Sequence, residues 1–264
     1  MIDLNISIIK YIMELIHKIV KSRDVLRKHL THEWDTSVIQ NLSVKEMEKI
    51  YTAKATTNDL FASLGQGIGC NVSLQNRFIP SHTLHIIYYN FPRLGEKPIK
   101  ITKTCQDKIS QLYISGMLLD EDSIIMILCN PISETVATAI ENFNAAGQHL
   151  LSSQKLSEDI QKENDSLSED ERYSMRHFRN IHLFYLDHLA IDITNHALVP
   201  VHECKRDTPT ITKILEKCNA TVDQIPVIKR TDPQAKLMRM SPGDLCEIKR
   251  PTLAGEIITY RICQ

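Results

Sequence analysis

The chain has 264 residues, of which 42% are hydrophobic and 24% charged, a composition typical of a soluble globular protein with one large or two small domains. Its formal net charge of -1 gives no general attraction to nucleic acid or to an acidic membrane, so any DNA contact must come from a local basic patch. Seven cysteines without CxxC spacing indicate buried thiols in a reducing compartment rather than a disulfide framework.

The first fifty residues are predicted to be largely helical. Apolar residues recur at helical spacing over residues 6–30, and charged residues interrupt them, so this segment is predicted to be amphipathic rather than membrane-spanning. Ser43, followed three positions later by Glu46, has the capping-box pattern of a second, short helix.

Strand-like segments then alternate with one helical segment. The sequences TLHIIYYNF (83–91) and PIKITKT (98–104) are predicted strands, and DSIIMILC (122–129) is typical of a strand buried on both faces. The following NPISETVATAIENF, residues 130–143, predicts a helix with Pro131 in its first turn. A strand, a short turn and a helix in this order form an α/β unit.

Residues 145–178 are predicted to be an acidic insertion. Within it, residues 152–172 are polar and acidic, which predicts a solvated helix or a partly disordered segment anchored by Leu156, Ile160 and Leu167. A domain boundary is placed after the insertion, with an N-terminal domain over residues 1–180 and a C-terminal domain over residues 181–264.

The C-terminal domain is predicted to mix short strands and helices. Residues 180–194 are strand-like, and Thr208 with Pro209 predicts a helix start that leads to a stop at Asn219. The pair Asp232–Pro233 repeats this start signal, and LCEIKR and EIITYRIC then predict a closing β-hairpin. The fold class is therefore α/β (α+β), with a larger N-terminal and a small C-terminal α/β domain.

Two clusters suggest metal chemistry, although a plainer interpretation is favoured for each. His196, His202, Cys204 and Cys218 lack the closely spaced ligand pairs of a structural zinc site, so we expect histidine–backbone hydrogen bonds and packed cysteines instead. The acidic residues 120–122 could bind a metal as in nucleases, but the neighbouring strands supply no further acid or lysine, and a solvated turn is favoured.

A basic cluster in the first helix allows two interpretations. One is the solvated face of an amphipathic helix, and the other is a weak, sequence-independent contact with DNA phosphates. The residues concerned are Lys18, Lys21, Arg23, Arg27 and Lys28.

The C-terminal segment resembles the fifth subunit shared by the eukaryotic nuclear RNA polymerases and the archaeal counterpart of that subunit. The family pattern H-x-L-V-P-x-H is matched by HALVPVH, and its D-P-x-A and A-G…Y-R elements follow in order at nearly constant spacing, although RPTLAG is one residue shorter than the family's R-x-S-x-T-A-G. The matching residues are His196, Leu198, Val199, Pro200, His202, Pro226, Ile228, Asp232, Pro233, Ala235, Gly243, Ile248, Arg250, Ala254, Gly255, Tyr260 and Arg261. Lys236 replaces an arginine of the pattern, and Arg239 stands where the family has glycine.

This resemblance implies a non-catalytic subunit of a multisubunit DNA-directed RNA polymerase. The C-terminal domain is expected to dock on the largest subunit, and the N-terminal jaw domain to lie near downstream duplex DNA and bind it weakly. No cofactor, membrane or small-molecule substrate is expected for this chain, and Mg and Zn are expected only in other subunits. The expected location is the nucleus for a cellular protein, and the virion and the host-cell cytoplasm or nucleus for a viral one.

The resemblance also implies which residues form the subunit interface. They are the motif residues His196, Pro200, His202, Asp232, Pro233, Ala235, Lys236, Gly243, Arg250, Ala254, Gly255, Tyr260 and Arg261. In the last strand, alternate residues are expected to complete a small core on one face, leaving the face with Arg250 and Arg261 to a partner.

Two alternatives stay open at the level of the sequence. One is a nuclease-like α/β enzyme that carries an interaction tail, and the other is a free-standing transcription adaptor that uses the same tail outside polymerase.

Overall fold

The computed structural model describes residues 2–53, 68–92, 96, 100–169, 171–253 and 255–264. Helix α1 (Ile2–Leu30) and helix α2 (Val44–Thr52) occupy the N-terminal region, as predicted. The Ser43 side chain accepts from the backbone N–H of Glu46, and the Glu46 carboxylate accepts from the N–H of Ser43, which confirms the capping box. The motif residue Ala254 lies outside the described residues.

The first sheet consists of β1 (Val72–Gln75), β2 (Thr83–Tyr89), β3 (Ser123–Leu128) and β4 (Ile181–Tyr185), in that spatial order. Strand β1 is antiparallel to β2, whereas β2, β3 and β4 are mutually parallel. Every residue of β3 is buried, because helices cover both faces of the sheet. The continuous apolar run of β3 is thereby explained.

Two helical layers enclose this sheet. Helices α1 and α2 pack on one face, and α3 (Thr104–Ile114) and α4 (Glu134–Ser152) pack on the other. The prediction of a strand over 98–104 is wrong for its described part, since residues 100–103 have no strand structure and α3 begins at Thr104. Helix α4 begins after Ser133, whose hydroxyl accepts from the Val136 N–H, so Pro131 precedes the helix.

The acidic insertion is attached to the N-terminal domain by a small core of its own. Helix α5 (Glu158–Asp165) buries Ile160 against Ile79, Leu151 and Phe178, and the predicted anchors Leu156 and Leu167 pack beside them. The Glu163 carboxylate also accepts from the N–H and the hydroxyl of Ser81. These contacts agree with the prediction of an anchored, solvated helix.

The predicted boundary at residue 180 needs correction. Strand β4, expected in the C-terminal domain, pairs along its whole length with β3 and therefore belongs to the first sheet. The short helix α6 (Leu186–Leu189) follows β4 and packs on α1. The second sheet begins only at Val201, so the two sheets are joined by residues 186–200.

The second sheet has the order β5 (Val201–Lys205), β7 (Leu245–Thr252), β8 (Gly255–Cys263) and β6 (Val227–Ile228). Helix α7 (Thr208–Cys218) covers one face of it, and α8 (Pro233–Leu237) covers the other. Asp207 rather than Thr208 caps α7, accepting from the Thr210 N–H at 2.7 Å. The stop at Asn219 is confirmed by its left-handed backbone, with φ of 48°.

Over the parts of the chain that the structure describes, none of the helices combines the length and apolar character needed to cross a bilayer.

Candidate protein-binding surface

The hairpin of β7 and β8 leaves its apolar tip exposed. Leu253 in the turn is fully exposed, and Ile257 and Ile258 on β8 are 53% and 46% exposed. Exposed apolar side chains that lie close together in this way are typical of a surface that a binding partner covers. We call Leu253, Ile257 and Ile258 the hairpin tip.

The other end of the same hairpin is covered on both faces. Leu245 and Ile262 pack under α7, while Cys246 and Cys263 pack under α8. The side chains of β8 alternate between the faces as predicted, but the expectation of one core face and one free face is wrong. Both helices cover the end of β8 near Ile262, and both faces are open near the tip.

Charged side chains flank the hairpin tip. On the α7 face, Lys249 Nζ lies 2.5 Å from Glu203 Oε1 and 3.3 Å from Glu247 Oε1. On the α8 face, Arg250 is exposed opposite Ile257, and Arg261 Nη1 donates to the Val227 carbonyl at 3.1 Å. The surface therefore combines an apolar centre with two arginines on one face and a paired acid–lysine ladder on the other.

The HALVPVH motif forms an irregular turn that leads into β5. His196 Nδ1 accepts from the Leu198 N–H at 3.2 Å, and His202 Nδ1 donates to the Pro200 carbonyl at 2.7 Å. The two histidines therefore order the backbone, as the sequence suggested, and they leave Leu198 86% exposed. Leu198 is a second apolar group that a partner could bury.

The D-P-x-A motif builds helix α8, and Ala235 and Lys236 of this helix point toward the rest of the chain. Asp232 caps α8 through the Gln234 N–H, Pro233 occupies its first turn, and Ala235 is fully buried. Lys236 Nζ donates to the Leu183 carbonyl at 3.2 Å and lies 5.2 Å from the ring of Phe184, both on β4. Burial lowers the pKa of Lys236 despite the nearby acids. Lys236 therefore connects α8 to the first sheet.

Gly243 lies at another contact between the N-terminal and the C-terminal domain. Its φ is +91°, and a Cβ there would lie 3.3 Å from the Arg176 guanidinium. The adjacent Asp244 is fully buried and accepts from His177 Nε2 at 2.9 Å and from Arg176 Nε at 3.1 Å.

Two further motif residues lie in the β7–β8 hairpin. Gly255 has a positive φ, +128°, at the hairpin turn, and Tyr260 is half-buried against the apolar residues under α7.

Arg230 forms the most extensive polar contact between the domains, and no sequence motif indicated it. Its Nη1 lies 2.8 and 2.7 Å from the two carboxylate oxygens of Glu141. Its Nη2 donates to Asn180 Oδ1 at 2.6 Å and to the Ile181 carbonyl. Only 4% of Arg230 is exposed, so this guanidinium fixes the second sheet against α4 and β4.

A second buried ion pair joins the segment after α1 to the C-terminal domain. Glu33 Oε2 lies 2.9 Å from Arg206 Nη1 and 3.6 Å from Arg239 Nη1, and Arg239 also stacks on Trp34 at 4.7 Å. Burial alone would raise the pKa of Glu33, but the two guanidinium groups outweigh it and hold this pKa at about 2. Glu33, Arg206 and Arg239 also line a cleft of about 630 Å³.

The basic cluster of α1 is less available than the sequence suggested. Lys18 pairs with Glu14 and Asp187, Arg27 with Asp24, and Lys28 with Asp192. Arg23 is buried and donates to the Cys70 carbonyl at 2.8 Å, so the prediction that Arg23 belongs to an exposed basic face is wrong. Lys21 is exposed.

The residues of the two candidate metal sites make contacts within the fold instead. Asp120 pairs with Arg179 at 2.6 Å, and the buried Asp122 accepts from the N–H groups of Thr83 and Leu119. Asp122 is therefore not in a solvated turn. Cys204 is half-buried in the α8 cluster, but Cys218 is exposed, so packing of Cys218 is a wrong prediction. Within the described ranges, no three potential ligands come together as a metal site.

The fold is that of a two-sheet α/β protein whose C-terminal sheet exposes an apolar hairpin tip. Residues 191–263 match the family model of the RNA polymerase Rpb5 C-terminal domain. The chain is 39% identical over 74 residues to DNA-directed RNA polymerase subunit Rpo5 of Sulfurisphaera tokodaii, covering 28% of this chain and 87% of that protein. It is also 39% identical over 75 residues to Rpo5 of Methanothermobacter thermautotrophicus, covering 28% and 95%.

A eukaryotic relative matches the same region. Over 76 residues the chain is 36% identical to the DNA-directed RNA polymerases I, II, and III subunit rpabc1 of Dictyostelium discoideum, covering 28% of this chain and 38% of that protein. The chain belongs to the Rpb5/Rpo5 family of RNA polymerase subunits.

Proposed function

We propose that this chain is a non-catalytic subunit of a multisubunit DNA-directed RNA polymerase, held in the complex by its C-terminal sheet. The observation that supports docking is the exposed hairpin tip, which lies inside the segment matched by the family model. The partner is the largest polymerase subunit. Burial of the tip stabilises the complex by roughly 25 cal/mol for each Å² of apolar surface removed from water.

Aspartate substitutions in the hairpin tip test this docking. We expect the double variant Leu253→Asp/Ile257→Asp to lose at least about tenfold in co-purification with the largest subunit, because burying two carboxylates without partners is unfavourable. The measurement is quantitative pull-down after co-expression. Thermal unfolding of the isolated variant should match that of the unaltered chain, since both side chains are exposed.

Val222→Asp is the matched control. Val222 is also an exposed apolar residue of the C-terminal domain, but it lies outside the hairpin. It should leave co-purification unchanged. Equal recovery of the double variant and the unaltered chain would contradict docking through the tip, and recovery of transcription proteins without polymerase would favour a free-standing adaptor.

The proposal places the N-terminal domain near downstream duplex DNA, as a jaw. Lys21 is exposed and, unlike Lys18, Arg27 and Lys28, it forms no ion pair within the described residues, which supports a phosphate contact without sequence readout. Location follows the polymerase: the nucleus for a cellular enzyme, or the virion and infected cell for a viral one. The chain itself is proposed to bind no cofactor.

Lys21→Ala is expected to weaken binding of the assembled polymerase to downstream duplex of any sequence. Loss of one phosphate contact should reduce the slope of log affinity against log salt by about 1. Fluorescence anisotropy with labelled duplex at several salt concentrations measures both quantities. Lys155→Ala, an exposed lysine in the acidic insertion, is the control. An unchanged slope for Lys21→Ala would assign Lys21 to a solvated helix face.

A further inference from the structure

We propose that the outer edge of β8 accepts an extended segment of the polymerase partner as an added β-strand. This inference rests on the proposed function, and it specifies how the C-terminal sheet holds its partner. Strand addition requires backbone groups of β8 that are not already paired.

Backbone groups of β8 point alternately toward β7 and away from it. The Cys263 N–H donates to the Asp244 carbonyl on the β7 side at 2.8 Å, whereas the Ile262 N–H donates to the Pro226 carbonyl at 2.9 Å on the opposite side. Because this direction alternates along a strand, the N–H and C=O groups of Ile258 and Tyr260 also point away from β7. They form the outer edge of the sheet.

Strand β6 covers only one end of this edge. It pairs with Ile262 and Cys263, and a further step of the parallel ladder would require residue 226 to donate to the Tyr260 carbonyl. Residue 226 is proline, which has no N–H, so the ladder ends there. In the ranges that the structure describes, no backbone hydrogen bond reaches Ile258 or Tyr260 from this side.

The free edge lacks the features that usually prevent strand addition. Exposed edges in soluble proteins are commonly blocked by proline, inward-pointing lysine, a bulge or very short length. Here residues 256–261 read EIITYR, and β7 and β8 stay in continuous register from the pair Leu245–Ile262 to the pair Thr252–Gly255. The outer edge of β8 is therefore free of proline and of bulges, is rich in β-branched residues, and is open to pairing with another strand.

The side chains beside the edge define the chemistry of the added strand. Ile258 and Tyr260 border it on the α7 face, and Thr259 and Arg261 border it on the other, with Arg250 on the next strand. A strand laid along β8 would place alternate side chains on these two faces. The occupant is an extended polypeptide segment with apolar side chains on the α7 face and acidic side chains on the arginine face.

Hydrogen exchange of the full chain tests the pairing at single amides. In the isolated chain, the amides of Ile258 and Tyr260 should exchange at least about 100-fold faster than those of Ile257 and Thr259, which donate to β7. In the complex with the largest subunit, the amides of Ile258 and Tyr260 should become at least about 100-fold slower, while those of Ile257 and Thr259 change little.

Ile258→Pro removes one outward N–H without removing a bond to β7, and Ile258→Ala removes the same side chain while keeping the N–H. We expect Ile258→Pro to reduce co-purification at least about tenfold below Ile258→Ala. Circular dichroism and thermal unfolding of both isolated variants report whether β7 and β8 still pair. Thr259→Pro, which removes an inward N–H, should disrupt the hairpin itself and serves as the contrast.

The outcomes separate the two proposals. A complex in which the Ile258 and Tyr260 amides exchange as fast as in the isolated chain overturns strand addition and leaves docking intact. Failure to form any complex with polymerase overturns both. Slow exchange at these amides in the isolated chain at high concentration, with a dimer in sedimentation, overturns the inference in favour of pairing with a second copy.

Discussion

Arg230→Met is expected to lower the free energy of unfolding by about 3 kcal/mol, because it removes one partner of a buried ion pair. Methionine keeps much of the volume but removes every hydrogen bond of the guanidinium. Glu141 loses its bidentate partner, and Asn180 Oδ1 and the Ile181 carbonyl lose a donor inside the junction. Urea unfolding followed by circular dichroism measures the change.

Arg250→Met is the matched control for this prediction. It makes the same chemical change on the exposed part of β7, where the effect should stay within about 0.5 kcal/mol. Equal stabilities of the two variants would show that the Arg230 contacts add nothing to the junction.

Acid should destabilise the chain through Glu33 between about pH 4.5 and pH 2. The folded-state pKa of Glu33 is about 2, and its ordinary value is 4.5, so the unfolded chain binds a proton first as the pH falls. The stabilising contribution is therefore fully present above pH 4.5 and is lost progressively toward pH 2. A shift of this size corresponds to about 3 kcal/mol.

Glu33→Gln isolates this contribution. At pH 7 the variant should be less stable by about 3 kcal/mol, because Arg206 and Arg239 lose their shared carboxylate. From pH 4.5 to pH 2 its unfolding free energy should fall less steeply than that of the unaltered chain, by about one proton. Glu158→Gln, at a side chain that is 91% exposed, should change neither value. Parallel pH profiles for Glu33→Gln and the unaltered chain would refute the assignment.

Elements with local signals could be predicted from the sequence. The capping box at Ser43, the buried run of β3, the Asp232–Pro233 helix start and the closing hairpin each depend on residues a few positions apart. The sheet to which β4 belongs could not be predicted in this way. The five residues of β4, IHLFY, indicate a strand but do not identify the neighbouring strand, so the predicted boundary falls before β4 instead of after it.

The candidate surface was predictable in part. The family motif identified the C-terminal hairpin, but a motif does not distinguish residues that face a partner from residues that face the chain's own interior. Ala235 and Lys236 are in the second group, and Asp232 serves as the cap of α8. Arg230 and Glu141 lie 89 positions apart, so no spacing rule could pair them. Arg239 did carry a signal, since it replaces a family glycine and has a φ of +52°.

The Arg230 contact has a consequence for the modularity of the C-terminal domain. In the Sulfurisphaera tokodaii relative, the matched region makes up 87% of the protein, so it exists there almost alone. In this chain the same region extends a guanidinium and an ammonium group into the neighbouring domain. A transplant of this region onto a foreign N-terminal half would succeed only if the recipient offered a carboxylate and several carbonyl acceptors at the graft site.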